Sequence, residues 1–134
     1  MAKGKYRRKG KKEGKTPKPC EDKHHIFYMK RNWRRGALEK LRRHEYCAVY
    51  IPKRTLHKYI HDHLANIPAP SQLAAKEALE QLQTLNFKGY LHPYDPIEKR
   101  LNLLAALFDC SAQPTADALR EQLSVVREFK RKPP

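Results

Sequence analysis

The chain has 134 residues, enough for one compact domain with a tail and too few for two large independent cores. Its 29 Lys and Arg against 14 Asp and Glu give a formal net charge of +15, which indicates a polyanionic partner, either nucleic acid or an anionic membrane surface. No apolar run reaches the roughly 18 residues of a membrane span, and the basic start lacks the apolar segment of a secretory signal, so we expect a cytoplasmic protein that does not enter a membrane. The three cysteines are widely spaced, which fits a reducing compartment rather than a disulfide framework.

Residues 1–19 form a strongly basic segment. They contain nine Lys and Arg and one Glu, and Tyr6 is their only aromatic side chain. Such a segment buries too little surface to offset the entropy of ordering it, so we predict a disordered basic arm. The arm could contact phosphates without reading base sequence, or it could serve only as a solubilising tail.

Two strands and two helices are predicted for residues 20–65. Aromatic and branched side chains indicate a strand over residues 22–29 and a second strand over residues 47–51. The second strand stops at Pro52, because proline cannot donate a ladder hydrogen bond. Between the strands we predict a basic turn followed by a short helix over residues 37–44.

The second helix of this segment carries a pair of histidines. Thr55 is its predicted N-cap, and its buried stripe is predicted to consist of Leu56, Tyr59, Ile60 and Leu64. The core of the segment is expected to include Phe27, Tyr28 and Trp33 rather than to leave them free for base stacking.

A linker and three helices are predicted for the remainder of the chain. Two prolines mark residues 66–70 as the linker, and apolar side chains then repeat at intervals of three and four over residues 71–85, 95–110 and 115–129. Ser71 and Asp95 are predicted N-caps. We therefore predict a mostly helical α+β fold, with a helical region over residues 71–130 and a basic tail over residues 131–134.

Four histidines form a candidate metal site. His57 and His61 are four residues apart, so they share one face of the predicted helix. His24 and His25 are adjacent on the predicted strand and therefore point to opposite faces, which favours different roles for them. Imidazole binds zinc, nickel, copper and iron, and magnesium or manganese more weakly.

A nuclease that uses one divalent metal ion needs metal ligands, a neutral histidine to accept a proton from water, and positive groups for the phosphate. The sequence offers His24, His57 and His61 as ligands and His25 as the general base. The candidate phosphate contacts are Arg31, Arg34, Arg35, Lys53 and Arg54.

These residues resemble the HNH, or His-Me finger, nucleases. The likeness lies in the doublet His24-His25, followed by a loop, a strand that ends in Pro-Lys-Arg at residues 52–54, and a helix with two histidines four apart. It is nearest to the DNase domains of colicins. The resemblance implies a ββα-metal module over residues 20–65, with His25 as general base, a divalent ion (Mg, Mn, Ni or Zn) held by His24, His57 and His61, and hydrolysis of a DNA phosphodiester.

The chain also departs from that family. The middle Asn, which pins the loop ahead of the second strand, has His44 as its nearest counterpart by chemistry and Tyr46 by position. A non-catalytic nucleic-acid-binding protein is therefore the alternative. It would keep the ββα module for its shape or for a structural zinc site, completed by Cys20 or Cys47. An RNA-binding or ribosome-associated protein is a third hypothesis, which depends on the basic arm alone.

Overall fold

A computed structural model describes residues 21–27, 33–63 and 67–131, without the side chains of residues 53 and 54. Across these residues the chain forms a two-stranded sheet and five α-helices, which confirms the predicted mostly helical α+β fold. The elements in order are β1 (Glu21–His25), α1 (Gly36–Arg42), a 3₁₀ turn (Glu45–Cys47), β2 (Ala48–Pro52), α2 (Lys53–His63), α3 (Gln72–Phe87), α4 (Ile97–Phe108) and α5 (Gln113–Arg131). No helix within these residues combines the length and the apolar composition of a membrane span.

The two strands pair as an antiparallel hairpin in which His24 lies opposite Val49 and His25 opposite Ala48. The prediction that β1 continues through residues 26 and 27 is wrong. Ile26 and Phe27 are fully buried in succession, whereas a strand would send them to opposite faces. The chain bends here because Phe27 turns into the core and stacks on Trp33, with ring centroids 4.7 Å apart.

Helix α2 follows β2 without a loop. It begins at Lys53, so the prediction that Thr55 is its N-cap is wrong, and Thr55 is an exposed residue of the first turn. Pro52 ends the strand as expected, and its fixed backbone angle is compatible with an immediate helix start. Leu56 and Ile60 are fully buried, which fixes the face that α2 turns towards the sheet.

One of the two predicted caps in the helical region is confirmed. The Ser71 hydroxyl accepts a hydrogen bond from the Ala74 amide at 3.0 Å. The prediction that Asp95 caps α4 is wrong, because Pro96 occupies the N-cap position. The Asp95 carboxylate instead accepts hydrogen bonds from the Tyr46 hydroxyl at 2.8 Å and from the His92 amide at 3.2 Å.

A buried arginine on α4 organises the chain ahead of β2. Arg100 is 4% exposed, and its guanidinium donates hydrogen bonds only to backbone carbonyls among the described residues, namely those of Glu45, Tyr46, Ala48, Pro93 and Asp95. The start of β2 is thereby attached to α4.

The C-terminal helix connects the helical region to the hairpin. Helix α5 packs along α4 and also against α2, while α1 packs against α3. The apolar side chains that α5 buries include Leu119, Leu123 and Val126. Helix α5 is longer than predicted, and Arg131 is its last residue rather than the first residue of a tail. Its middle therefore lies beside the elements that carry the histidines.

Candidate metal centre

Three of the four candidate histidines converge. One ring nitrogen from each of His24, His57 and His61 lies within 4.8 Å of the others. The ring centroids are 5.3 Å apart for His24 and His57, 5.6 Å for His24 and His61, and 4.7 Å for His57 and His61. Two ligands bound to one zinc ion at about 2.1 Å in a tetrahedron lie about 3.4 Å apart. Small side-chain adjustments therefore suffice for this group to hold a metal ion.

The local structure explains the convergence. Strand alternation turns His24 into the interior, where it is fully buried, and the helical repeat of α2 stacks His57 and His61 on one face. Exposure rises across the group, because His57 is half-buried and His61 is exposed. The group is thus closed on the side of His24 and reaches solvent on the side of His61.

Two polar side chains contact the histidines of this group. Oδ2 of Asp22 lies 3.6 Å from Nδ1 of His57, and Oε1 of Gln122 lies 3.5 Å from Nε2 of His24. Outer partners of this kind usually orient metal-binding histidines.

Neither Asp22 nor Gln122 is among the predicted site residues, although the spacing of each from its neighbours in the sequence indicates which face of its element it occupies. Asp22 is two residues before His24 and so shares its strand face, and Gln122 is a polar residue at an inward position between Leu119 and Val126.

Burial favours the neutral form of His24 and of His61. The pKa of His24 is lowered from 6.5 to about 4, mainly by desolvation and to a smaller extent by the neighbouring His57 and His61. The pKa of His61 is also lowered, first by desolvation and then by His57. Neutral imidazole is the form that binds metal, so protons compete little for these two side chains at pH 7.

His25 does not belong to the three-histidine group. It is the last residue of β1 and is exposed, on the strand face opposite His24. Its pKa is lowered by partial desolvation, by Lys23 and by Arg42. A neutral imidazole that is open to solvent at neutral pH has the protonation state of a general base.

The predicted phosphate contacts are only partly described. Arg34 and Arg35 are exposed just before α1, and the Arg35 carbonyl accepts a hydrogen bond from the Gln72 amide at 3.0 Å. Lys53 and Arg54 are the first two residues of α2, four and three positions before His57. Arg31 and the side chains of Lys53 and Arg54 lie outside the described parts of the chain.

The loop ahead of β2 is held by His44 and Tyr46 together. Nδ1 of His44 accepts a hydrogen bond from the Tyr46 amide at 3.0 Å, and burial lowers the pKa of His44, which keeps that nitrogen unprotonated. Tyr46 is buried and its hydroxyl donates to Asp95. Cys47 follows in the same turn as a buried thiol outside the three-histidine group. Cys20 lies outside the described residues.

Comparison of the chain with protein-family models, with curated proteins and with solved structures gives no match. The site is therefore defined by its own geometry as a three-histidine group that could hold a metal ion.

Proposed function

We propose that this protein is a metal-dependent endonuclease of the HNH type that hydrolyses phosphodiester bonds of DNA. The observation that carries the proposal is the convergence of His24 with His57 and His61, because His24 lies more than 30 positions before the other two in the chain. The antiparallel hairpin followed directly by a helix with paired histidines supports the resemblance to that family.

The ligand set favours a divalent transition metal. Three imidazole ligands suit zinc or nickel better than magnesium or manganese, which prefer oxygen ligands. When bound, such an ion would neutralise charge on the scissile phosphate and stabilise the leaving oxygen. Catalytic zinc sites commonly have three protein ligands and an open fourth position, and the described residues supply three.

His25 is the proposed general base. His25 directly follows His24 in the chain, and its ring is exposed. Its lowered pKa leaves the ring neutral at pH 7, so it can accept a proton from an attacking water. Phosphate groups would be held by Arg31, Arg34, Arg35, Lys53 and Arg54. The basic arm would add affinity that does not depend on base sequence.

A non-catalytic nucleic-acid-binding protein with a structural zinc site is the second candidate. Two observations favour it, since His24 is fully buried and His25 stands outside the three-histidine group. A structural zinc site normally has four protein ligands. Cys47 does not join the group, so Cys20 would have to complete it.

A plasmid-nicking assay with magnesium, manganese, nickel and zinc, together with metal analysis of the purified protein, tests the proposal. His25→Ala should abolish nicking and leave metal affinity nearly intact, because His25 accepts a proton without binding the ion. His57→Ala should lose both properties. His92→Ala is the matched control, because His92 is an exposed histidine in the loop before α4 and should lose neither.

Two results would contradict the nuclease proposal. Equal nicking by the His25→Ala and His57→Ala variants would refute the assigned roles. Tightly held zinc without nicking under any metal would favour the binding protein.

A further inference from the structure

A polar residue of the C-terminal helix lies against the metal centre. Gln122 is 1% exposed, in a stretch of α5 whose other inward side chains are apolar. An amide in such a position loses its water and needs hydrogen-bond partners. The partner that the structure gives it is His24, which is 98 positions away in the chain.

The chemistry of the two facing atoms decides which nitrogen of His24 carries the proton. With Oε1 of Gln122 facing Nε2 of His24 at 3.5 Å, the contact is favourable when Nε2 carries the proton, because an amide oxygen only accepts a hydrogen bond. This separation is long for an N–H···O bond, whose usual length is about 2.9 Å. Even so, the opposite arrangement would set two lone pairs against each other in a buried place.

The second nitrogen of His24 is then unprotonated. Nδ1 is buried and has no hydrogen-bond partner among the described residues. A buried acceptor without a partner destabilises the folded protein. A metal ion shared with His57 and His61 would satisfy this lone pair.

We propose that Gln122 is a positioning residue that holds His24 with its proton on Nε2 and so presents Nδ1 to the metal ion. This inference depends on the metal-binding part of the proposed function and not on nuclease activity. His57 shows the same principle, because Asp22 lies beside its Nδ1 and leaves Nε2 for the ion. The C-terminal helix thus takes part in the metal centre.

The first test is nitrogen NMR of full-length protein labelled with ¹⁵N in its histidine rings. In the metal-free protein, the His24 signals should show the proton on Nε2. After loading with cadmium, coupling to the metal should appear at Nδ1 of His24. A proton on Nδ1 in the metal-free protein, or cadmium coupling at Nε2, would overturn the inference.

The second test is zinc affinity in two variants. Gln122→Met keeps the side-chain volume and removes the acceptor, so affinity should fall roughly 10- to 100-fold. Its melting temperature without metal should not fall, because the variant also removes an amide nitrogen that lacks a partner among the described residues. Gln122→Glu keeps an acceptor and should retain affinity near the wild-type value.

Ser124→Ala is the control, because Ser124 is an exposed residue of the same helix. Zinc binding by Gln122→Met as tight as that of the wild type would overturn the role of Gln122 alone. Failure of the wild-type protein to bind zinc or cadmium would instead refute the proposed metal site.

Discussion

At the scale of single residues, metal binding by the three-histidine group would depend on which ring nitrogen of each histidine is free to bind the ion. Asp22 stands beside Nδ1 of His57 at 3.6 Å, on the side away from any ion bound through Nε2. A carboxylate in this position orients the ring and makes its free nitrogen a stronger ligand. Asp22 should therefore influence metal affinity without touching the metal.

Asp22→Asn tests this role. The change keeps the shape of the side chain and removes its charge, so zinc affinity should fall roughly tenfold. Asp117→Asn is the control, because Asp117 is exposed on α5 and accepts a hydrogen bond from Gln113 at 2.8 Å. Isothermal titration with zinc measures both variants. Equal affinity in Asp22→Asn and the wild type would show that the carboxylate does not orient His57.

The buried His24 also makes stability depend on pH. Its pKa is about 4 in the folded protein against 6.5 for an ordinary histidine, because burial disfavours the charged ring. Above pH 6.5 both states are neutral at this position. As the pH falls from 6.5 towards 4, the unfolded chain gains a proton that the folded chain does not, and stability is lost.

We expect His24 to account for about 3 kcal/mol of lost unfolding free energy between pH 6.5 and pH 4 in the metal-free protein. Urea unfolding of the wild type and of His24→Gln, measured in a chelator across this range, isolates the effect. The variant should show a correspondingly shallower dependence on pH. Parallel pH dependences in the two proteins would contradict the burial of a neutral His24.

Residue-level properties were predictable where they follow from a repeat. Alternation along a strand separates His24 from His25, and the helical repeat aligns His57 with His61. The role of Gln122 was not predictable in this way. Its inward position can be found from the spacing on α5, but its partner is a strand residue that only the tertiary fold brings near.

At the scale of secondary-structure elements, the helix starts show how tertiary contacts override local signals. Asp95 precedes α4 by two residues and looks like a cap, yet its carboxylate accepts from Tyr46, which is 49 positions earlier. The side chain is drawn to a buried hydroxyl instead of the first turn of its own helix. Ser71 has no such competing partner in the described structure, and the local prediction is correct there.

Arg100 is the contact between elements that should matter most for stability. Arg100→Met leaves buried carbonyls before β2 without their donor, so we expect a loss of about 3 kcal/mol in unfolding free energy. Arg120→Met is the control, since Arg120 is exposed and pairs with Asp109 at 2.6 Å. Its effect should be small. Urea unfolding compares the two, and equal losses would contradict the role of Arg100.

At the scale of the whole molecule, the chain joins a histidine-bearing hairpin and helix to a helical region that supports them. The strands and helices of each part could be predicted from the sequence, and so could the mostly helical α+β fold class. The contact of α5 with α2, and of Gln122 with His24, could not be predicted, because nothing local specifies which side of a helical region faces the hairpin.

The net charge of +15 predicts DNA binding that weakens steeply with salt. Deleting residues 1–19 removes nine positive charges and one negative charge, so the salt dependence should become shallower. Each phosphate contact that is lost reduces the slope by about 0.9. Fluorescence anisotropy with duplex DNA across a salt series measures it. An unchanged slope would show that the arm does not contact phosphates. Zinc affinity is the control, and it should be the same with and without the arm.

The proposed site has three histidines that bind one ion and leave a coordination position open. Zinc K-edge X-ray absorption on the zinc-loaded protein tests it directly. We expect three imidazole nitrogens at about 2.0–2.1 Å and one oxygen ligand at a similar distance. A sulfur ligand at about 2.3 Å, or fewer than three imidazoles, would contradict it.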